Sequence, residues 1–124
     1  MNTQELENSK GRREAERRIR ACVQTQCEYL DLNYLNLNEL PDIPNHILDL
    51  DISNNPIKEI KSLPPNLRWF SCYNTKIETL PKLPDSLISL SVSHTPLLKK
   101  LISNSQFKST LKSIRRMQEN GELD

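Results

Sequence analysis

A repeat of twenty residues runs through the middle of the chain and restricts its fold more than any other feature. Apolar residues return at the same place in successive units, as in the column Leu30, Leu50, Phe70 and Leu90. A second column, two residues later, contains Leu32, Ile52, Cys72 and Val92. A fixed period of about 20 to 29 residues with the spacing LxxLxLxxNxLxxL is typical of leucine-rich repeats. The sequence therefore predicts a stack of such units.

Alternation within each unit predicts a strand with two different faces. Leu50 and Ile52 are two residues apart on an extended segment, so both point into the core while Asp49 and Asp51 point away from it. Stacked units place these strands in parallel register, about 4.8 Å apart. The return segment 40–44 contains two prolines, which fix φ and lack an N–H donor. The convex side should therefore be extended or polyproline-like.

The two ends of a repeat stack expose core and need to be covered. Before the repeats, Ala15, Ile19, Cys22 and Val23 recur at the spacing of an amphipathic helix. After them, apolar residues from Leu97 to Ile114, including Ile102 and Phe107, also follow helical spacing, with Ser105 as the expected N-cap and Gly121 beyond the end. Each group predicts a capping helix.

The predicted fold class is a leucine-rich-repeat solenoid: a short parallel β-sheet of about four strands, an extended convex side, and an α-helix at each end. The predicted divisions are a polar leader at 1–10, an N-terminal capping helix at 11–26, repeats at 27–96, and a C-terminal capping helix and tail at 97–124.

Composition excludes several other classes of protein. The chain has 124 residues, enough for one small domain, and no apolar stretch near the roughly 18 residues of a membrane span. Its start lacks the apolar region of a cleaved secretory signal. Cys22, Cys27 and Cys72 are odd in number and form no CxxC motif, so we expect reduced, packed thiols and neither a disulfide nor a zinc site.

The sequence gives little indication of catalysis, of a bound cofactor or of binding to nucleic acid. His46 and His94 fall in different parts of their repeats, and Cys72 occupies a core position, so no nucleophile and base are paired. We expect no enzyme activity, no cofactor and no metal.

Basic residues in the end helices include Arg12, Arg13, Arg17, Arg18, Arg20, Lys108, Lys112, Arg115 and Arg116. We interpret them as the solvated faces of the two helices. The alternative is that they bind an acidic partner. No aromatic residues lie between these charges, so we do not expect binding to nucleic acid.

The sheet face opposite the core, here called the concave face, carries the candidate binding residues. They are Tyr29, Asp31, Asn33, Asp49, Asp51, Trp69, Ser71 and Tyr73. Trp and Tyr are enriched among the residues that dominate binding energy, so Trp69 and Tyr73 are the expected anchors. The alternative is that Trp69 packs over its neighbours. Four strands exposing three residues each offer roughly 15 by 10 Å, enough for a peptide or one helix.

Asp31 and Asp51 should lie opposite each other on adjacent strands, with Asp49 beside them. Like charges in that position cost about 0.2 to 1 kcal/mol, and a basic partner would relieve this cost. Two alternatives remain open, a solvated acidic patch and a bound divalent cation.

Two segments of the return chain repeat one proline-containing pattern: Leu40-Pro41-Asp42-Ile43-Pro44 and Leu80-Pro81-Lys82-Leu83-Pro84. With the xxLxxL that follows each, they resemble the LPxLPxxLxxL unit of the YopM and IpaH group of bacterial type III secreted effectors, over roughly residues 12–100. The consensus asparagine of such repeats is present only as Asn55, with Leu35, Thr75 and Thr95 at the equivalent places.

The resemblance implies a virulence protein that is secreted into a host cell, with a cytoplasmic protein as the alternative. IpaH-type relatives carry a large ubiquitin-ligase domain for which this chain has no room, so a YopM-like adapter that binds a target protein is favoured. Two other hypotheses stay open: the substrate-recognition fragment of such a ligase, and a structural or self-associating repeat protein. The sequence does not fix the oligomeric state.

Overall fold

The structure, a computed structural model, describes residues 2–102 and 110–121. Its elements in chain order are α1 (Thr3–Thr25), β1 (Tyr29–Asp31), β2 (Asp49–Asp51), β3 (Trp69–Ser71), β4 (Ser89–Ser91), α2 (Pro96–Ile102) and α3 (Thr110–Glu119). The strands form one parallel sheet in the order β1-β2-β3-β4. Leu30 pairs with Leu50, Leu50 with Phe70, and Phe70 with Leu90, so the predicted parallel register is confirmed.

Backbone hydrogen bonds continue the sheet beyond the short strands. The N–H groups of Leu32, Ile52 and Cys72 each donate to the next unit, to the carbonyl oxygens of Asp51, Ser71 and Ser91 at 2.8, 3.0 and 3.0 Å. Two residues later, Tyr34, Asn54 and Asn74 donate to Ser53, Tyr73 and Ser93. These bonds fix each unit against the next one, so the side chains of one column stay aligned.

The inward columns form the core as predicted. Leu50, Phe70, Ile52 and Cys72 are fully buried, while Leu90 in the last strand is only partly covered. The return segments 32–48, 52–68 and 72–88 consist of turns and extended chain without helix. Their prolines account for this, because each lacks an N–H donor and restricts the residue before it.

Asn55 connects the first two units from within the core and is 2% exposed. Its Nδ2 donates to the carbonyl oxygens of Leu32, Ile52 and Ser53 at 2.9, 2.9 and 3.1 Å. Its Oδ1 accepts from the N–H groups of Leu35 and Leu37, both at 3.0 Å. Thr75, at the same place in the next unit, donates only to the carbonyl of Cys72, within its own unit.

One position before Asn55, each unit turns through left-handed backbone. The residues are Tyr34, Asn54, Asn74 and His94, with φ of 57°, 59°, 54° and 59°. Asparagine tolerates this region better than most residues because its short polar side chain bonds locally. The Nδ2 of Asn54 donates to Oδ1 of Asn33, and that of Asn74 to Oδ1 of Asn54, both at 2.9 Å. A side-chain ladder therefore runs across three units at this edge of the sheet.

Helix α1 begins earlier than the sequence analysis expects. Residues 3–10, interpreted above as a polar leader, belong to the helix, which starts with a capping box between Asn2 and Glu5. It packs against β1 with Ala15 and Cys22 buried and Ile19 partly buried. Val23, expected on the same face, is 46% exposed.

The expectation that all three cysteines are reduced is wrong. Cys22, at the end of α1, and Cys27, just before β1, form a disulfide with their Cα atoms 5.0 Å apart. The two residues are not spaced as a CxxC motif, but the left-handed turn at Gln26 brings them together. Cys72 is free and buried.

The described part of the C-terminal region, 97–102 and 110–121, contains residues of two helices, α2 and α3, where the sequence predicted one. Leu101 and Ile114 are buried, Ile102 is exposed, and α3 packs against β4. The side chains of α3 satisfy main-chain oxygens of the last unit: Arg115 Nη2 donates to Pro84 and Leu87, and Gln118 Nε2 to Leu80 and Pro81. Ser105, Phe107 and Lys108 lie outside the described residues.

Gly11 allows α1 to lie close to the first repeat. A Cβ at this position would overlap the main-chain oxygen of Leu35. We expect Gly11→Ala to lower the free energy of unfolding by about 1 to 3 kcal/mol, because the helix has to shift. Helix propensity alone predicts the opposite sign, a gain of about 0.5 to 1 kcal/mol. Urea unfolding measures the change, with exposed Lys10→Ala as the control; a stabilised Gly11→Ala protein would contradict the contact.

The substitution Asn55→Thr places in the second unit the residue type that the third unit has at the equivalent position, Thr75. We expect the free energy of unfolding to fall by about 2 to 4 kcal/mol, because threonine leaves the N–H groups of Leu35 and Leu37 without this partner. Asn45→Thr, on an exposed return segment, serves as the control and should change stability by less than about 0.5 kcal/mol. Equal effects of the two substitutions in thermal unfolding would show that Asn55 does not tie the units together.

Candidate functional site

Two aromatic side chains meet above the middle of the concave face. Tyr29 on β1 and Trp69 on β3 have ring centroids 6.2 Å apart and an angle of 85° between their planes. The register places Asp49 of β2 between them, so the rings approach each other across a neighbouring strand. Tyr29 is 50% exposed and Trp69 is partly buried. Trp69 therefore packs on a neighbour and still presents part of its surface to solvent.

Asp31 and Asp51 are Cα partners on adjacent strands, as the sequence predicts. Each carboxylate accepts a hydrogen bond from the main-chain N–H two residues later, Asp31 from Asn33 and Asp51 from Ser53, both at 2.9 Å. These bonds hold both side chains in fixed orientations. Within residues 2–102 and 110–121, neither carboxylate forms an ion pair.

Asp49, by contrast, is already paired with a cation of the chain. Arg68 Nε and Nη2 donate to its two carboxylate oxygens at 3.2 Å each, and Nη2 also reaches Glu28 at 3.3 Å. The hydrogen bond to Asp49 is the main cause that raises the pKa of Arg68. This pair was not predicted, although the column that contains Glu28 and Arg68 places opposite charges two units apart.

The phenol of Tyr29 lies within the field of all three aspartates. Its pKa is raised above the ordinary value, first by desolvation and then by the charges of Asp31, Asp51 and Asp49. Proximity to negative charge disfavours the phenolate, so the hydroxyl stays protonated and can donate a hydrogen bond. The register places Asp49 between Tyr29 and Trp69 and pairs Asp31 with Asp51, so the aromatic pair and the acidic residues occupy the same part of the face.

The other predicted residues lie around this centre. Ser71 is only 7% exposed, and its hydroxyl lies 2.8 Å from that of Ser53, so it offers a partner little surface. Asn33 is partly buried and accepts from Asn54. Tyr73 is 37% exposed and stacks at a tilt on His94, with centroids 4.9 Å apart. His94 is a neighbour that the sequence analysis did not assign to the face.

Several of the basic residues on α1 and α3 have partners inside the fold. Glu14 accepts from Arg17 and Arg18, first and second among the causes that lower its pKa to about 2. Arg18 also donates to the main-chain oxygen of Asp31 at 2.9 Å. These hydrogen bonds and those of Arg115 show that some of the basic residues on the end helices have a structural role within the fold.

The described part of the chain shows no arrangement for metal binding. It contains no group of three or more His, Cys, Asp or Glu side chains that could hold an ion. Burial raises the pKa of Cys72 to about 12, so this thiol is a poor nucleophile. None of the helices in residues 2–102 and 110–121 combines the length and apolar character that crossing a bilayer requires.

A solved structure described as a Shigella effector LRR domain is similar to this fold. The TM-score is 0.68 and the sequence identity is 34%. The similarity covers 69% of this chain and 40% of that chain, so this chain spans about two fifths of the length of the Shigella structure. Neither a protein-family model nor a curated protein matches the sequence.

Alkylation tests the environment of the three cysteines. We expect iodoacetamide to leave the native chain unmodified without a reductant, because Cys72 is buried with a raised pKa and the other two are paired. In concentrated urea one cysteine should react, and in urea with a reductant all three should. Mass spectrometry counts the adducts. Native labelling of Cys72 as fast as in urea would contradict its burial.

Proposed function

We propose that this chain, whose repeat region has the leucine-rich-repeat fold of an effector domain, is an adapter that binds a target protein through its concave face. The observation that supports this most is the combination, on one sheet face, of Tyr29, Trp69 and Tyr73 with two carboxylates that form no ion pair with a described residue. The adapter acts by holding its target in place and needs no catalytic group of its own.

The geometry of the concave face favours a binding role for these aromatic residues over a role in packing alone. Backbone bonds between units fix the strands, so the aromatic side chains stand on a rigid base. Large aromatic side chains bury much surface at a small entropic cost and often dominate interface energy. A partly exposed Trp69 beside a half-exposed Tyr29 has surface left for a partner.

The area of the face sets the kind of target that fits. Four strands, each with up to three outward residues, offer roughly 15 by 10 Å, below the roughly 800 Å² per partner of a standard interface. An extended peptide or one helix of the target fits this area. A larger partner would also touch α1 or the left-handed turns at the edge of the sheet.

The likeness to a Shigella effector domain suggests where the adapter works. We infer delivery through a type III secretion system into a host cell, with the target among the proteins of that cell and a contribution to virulence.

Trp69→Ala tests the proposed face. Titration of a captured target should show about a tenfold or greater loss of affinity, because a central aromatic anchor contributes at least about 1.4 kcal/mol. Calorimetry measures the affinity, and circular dichroism checks that the variant stays folded.

Lys58→Ala is the matched control, since Lys58 is exposed on a return segment away from the sheet. It should bind the target as tightly as the unmodified chain. Unchanged affinity of Trp69→Ala, or an equal loss with Lys58→Ala, would refute binding through the concave face. Oligomers that dissociate on Trp69→Ala in light scattering would instead show a self-associating repeat protein.

A further inference from the structure

We propose that the concave face recognises an arginine side chain of its target and holds the guanidinium between the Tyr29–Trp69 pair and the carboxylates of Asp31 and Asp51. This inference rests on the proposed function and adds the chemistry of the group that is recognised. We call these four residues the arginine corner.

The two aromatic rings of the arginine corner are nearly perpendicular to each other. The ring planes stand at 85°, so the face of one ring is directed to the edge of the other. A cation within about 6 Å of an aromatic centroid is attracted by the negative ring face, and tryptophan gives the strongest attraction. Asp51 lies on β2, the strand between the two that carry the rings.

The chain itself shows that this row of carboxylates accepts a guanidinium. Arg68 uses two nitrogens to bind the two oxygens of Asp49, one residue before Trp69. Asp49 is thereby satisfied from within the fold. Asp31 and Asp51, two residues further along their strands, have no such cation among residues 2–102 and 110–121. One of these three carboxylates is therefore paired with a cation of the fold, and the other two, Asp31 and Asp51, follow the aromatic pair by two residues along the strands.

The free carboxylates are prepared for a ligand in charge and orientation. Backbone N–H groups hold one oxygen of each, so little ordering is needed when a partner binds. They face each other as Cα partners, which is unfavourable until a positive charge arrives. Asp31 follows Tyr29 by two residues on β1, so the two side chains lie on the same face of the sheet. Burial, and after it the charges of Asp31, Asp51 and Asp49, raise the pKa of Tyr29.

Arginine matches these features better than other cations. Its guanidinium is planar, so it can stack on an aromatic ring and bond a carboxylate through its edge at the same time. Lysine is a compact, strongly hydrated charge and offers no such plane. A calcium ion needs about six to eight oxygen ligands, and the described residues present no group of three metal-binding side chains.

A short peptide tests the arginine corner without knowledge of the target. The probe is acetyl-Gly-Arg-Gly-amide, and its control carries citrulline, which keeps the shape of arginine and lacks its charge. Trp69 is the only tryptophan of the chain, so its indole N–H gives a single resolved signal in a ¹⁵N-correlated NMR spectrum. We expect the arginine peptide to shift this signal saturably and the citrulline peptide to leave it unchanged. Added salt should weaken the binding.

Variants assign the effect to named residues. Asp31→Asn and Asp51→Asn keep an oxygen for the backbone N–H bond, and each should weaken peptide affinity about two- to fivefold. Tyr29→Leu should weaken it by a similar factor, while Tyr29→Phe keeps the ring and restores most of the affinity. Asp42→Asn, on an exposed return segment, removes the same charge away from the face and should have no effect.

The results separate this inference from the proposed function. No shift with the arginine peptide, an equal shift with citrulline, or an equal loss with Asp42→Asn would overturn the arginine corner, even where Trp69→Ala still weakens binding of the target. A charge-dependent shift that Asp51→Asn and Tyr29→Leu reduce supports it. In that case, a target that binds independently of Trp69 would refute target binding through the concave face and would not contradict the arginine corner.

Discussion

The parallel backbone ladder, with its step of twenty residues, is the constraint on which the rest of the molecule depends. The N–H groups of Leu32, Ile52 and Cys72 each donate to a carbonyl oxygen nineteen residues later in the chain. This pairing fixes which side chains enter the core and which stay outside. The site on the concave face is a consequence, because Asp31, Asp51 and the aromatic pair meet only in this register.

Those parts of the structure that repeat could be predicted from the sequence. The columns through Leu50 and Ile52 predicted core, register and the outward residues, because a period reports directly on stacking. Contacts that occur once leave no period. The bidentate pair of Arg68 with Asp49, the disulfide of Cys22 and the burial of Ser71 depend on side-chain conformation and on turns, so the sequence analysis missed all three.

The acidic concave face combines satisfied and unsatisfied charge in one row. The fold neutralises the carboxylate of Asp49 through Arg68 from the next unit. At Asp31 and Asp51 no cation of the described residues does the same. A fold that leaves like charges side by side often does so at a functional site. Here a bound partner would relieve the repulsion between the two carboxylates, which the fold itself does not relieve.

Besides their apolar packing, both end helices contact main-chain atoms of the repeats. Gly11 lies against the carbonyl of Leu35, Arg18 donates to that of Asp31, and Arg115 donates to those of Pro84 and Leu87. Every unit offers equivalent carbonyls, whatever its side chains. Duplication or loss of a whole internal unit would therefore leave both attachments intact. The length of the array, and with it the extent of the recognition surface, is free to change during evolution without redesign of the termini.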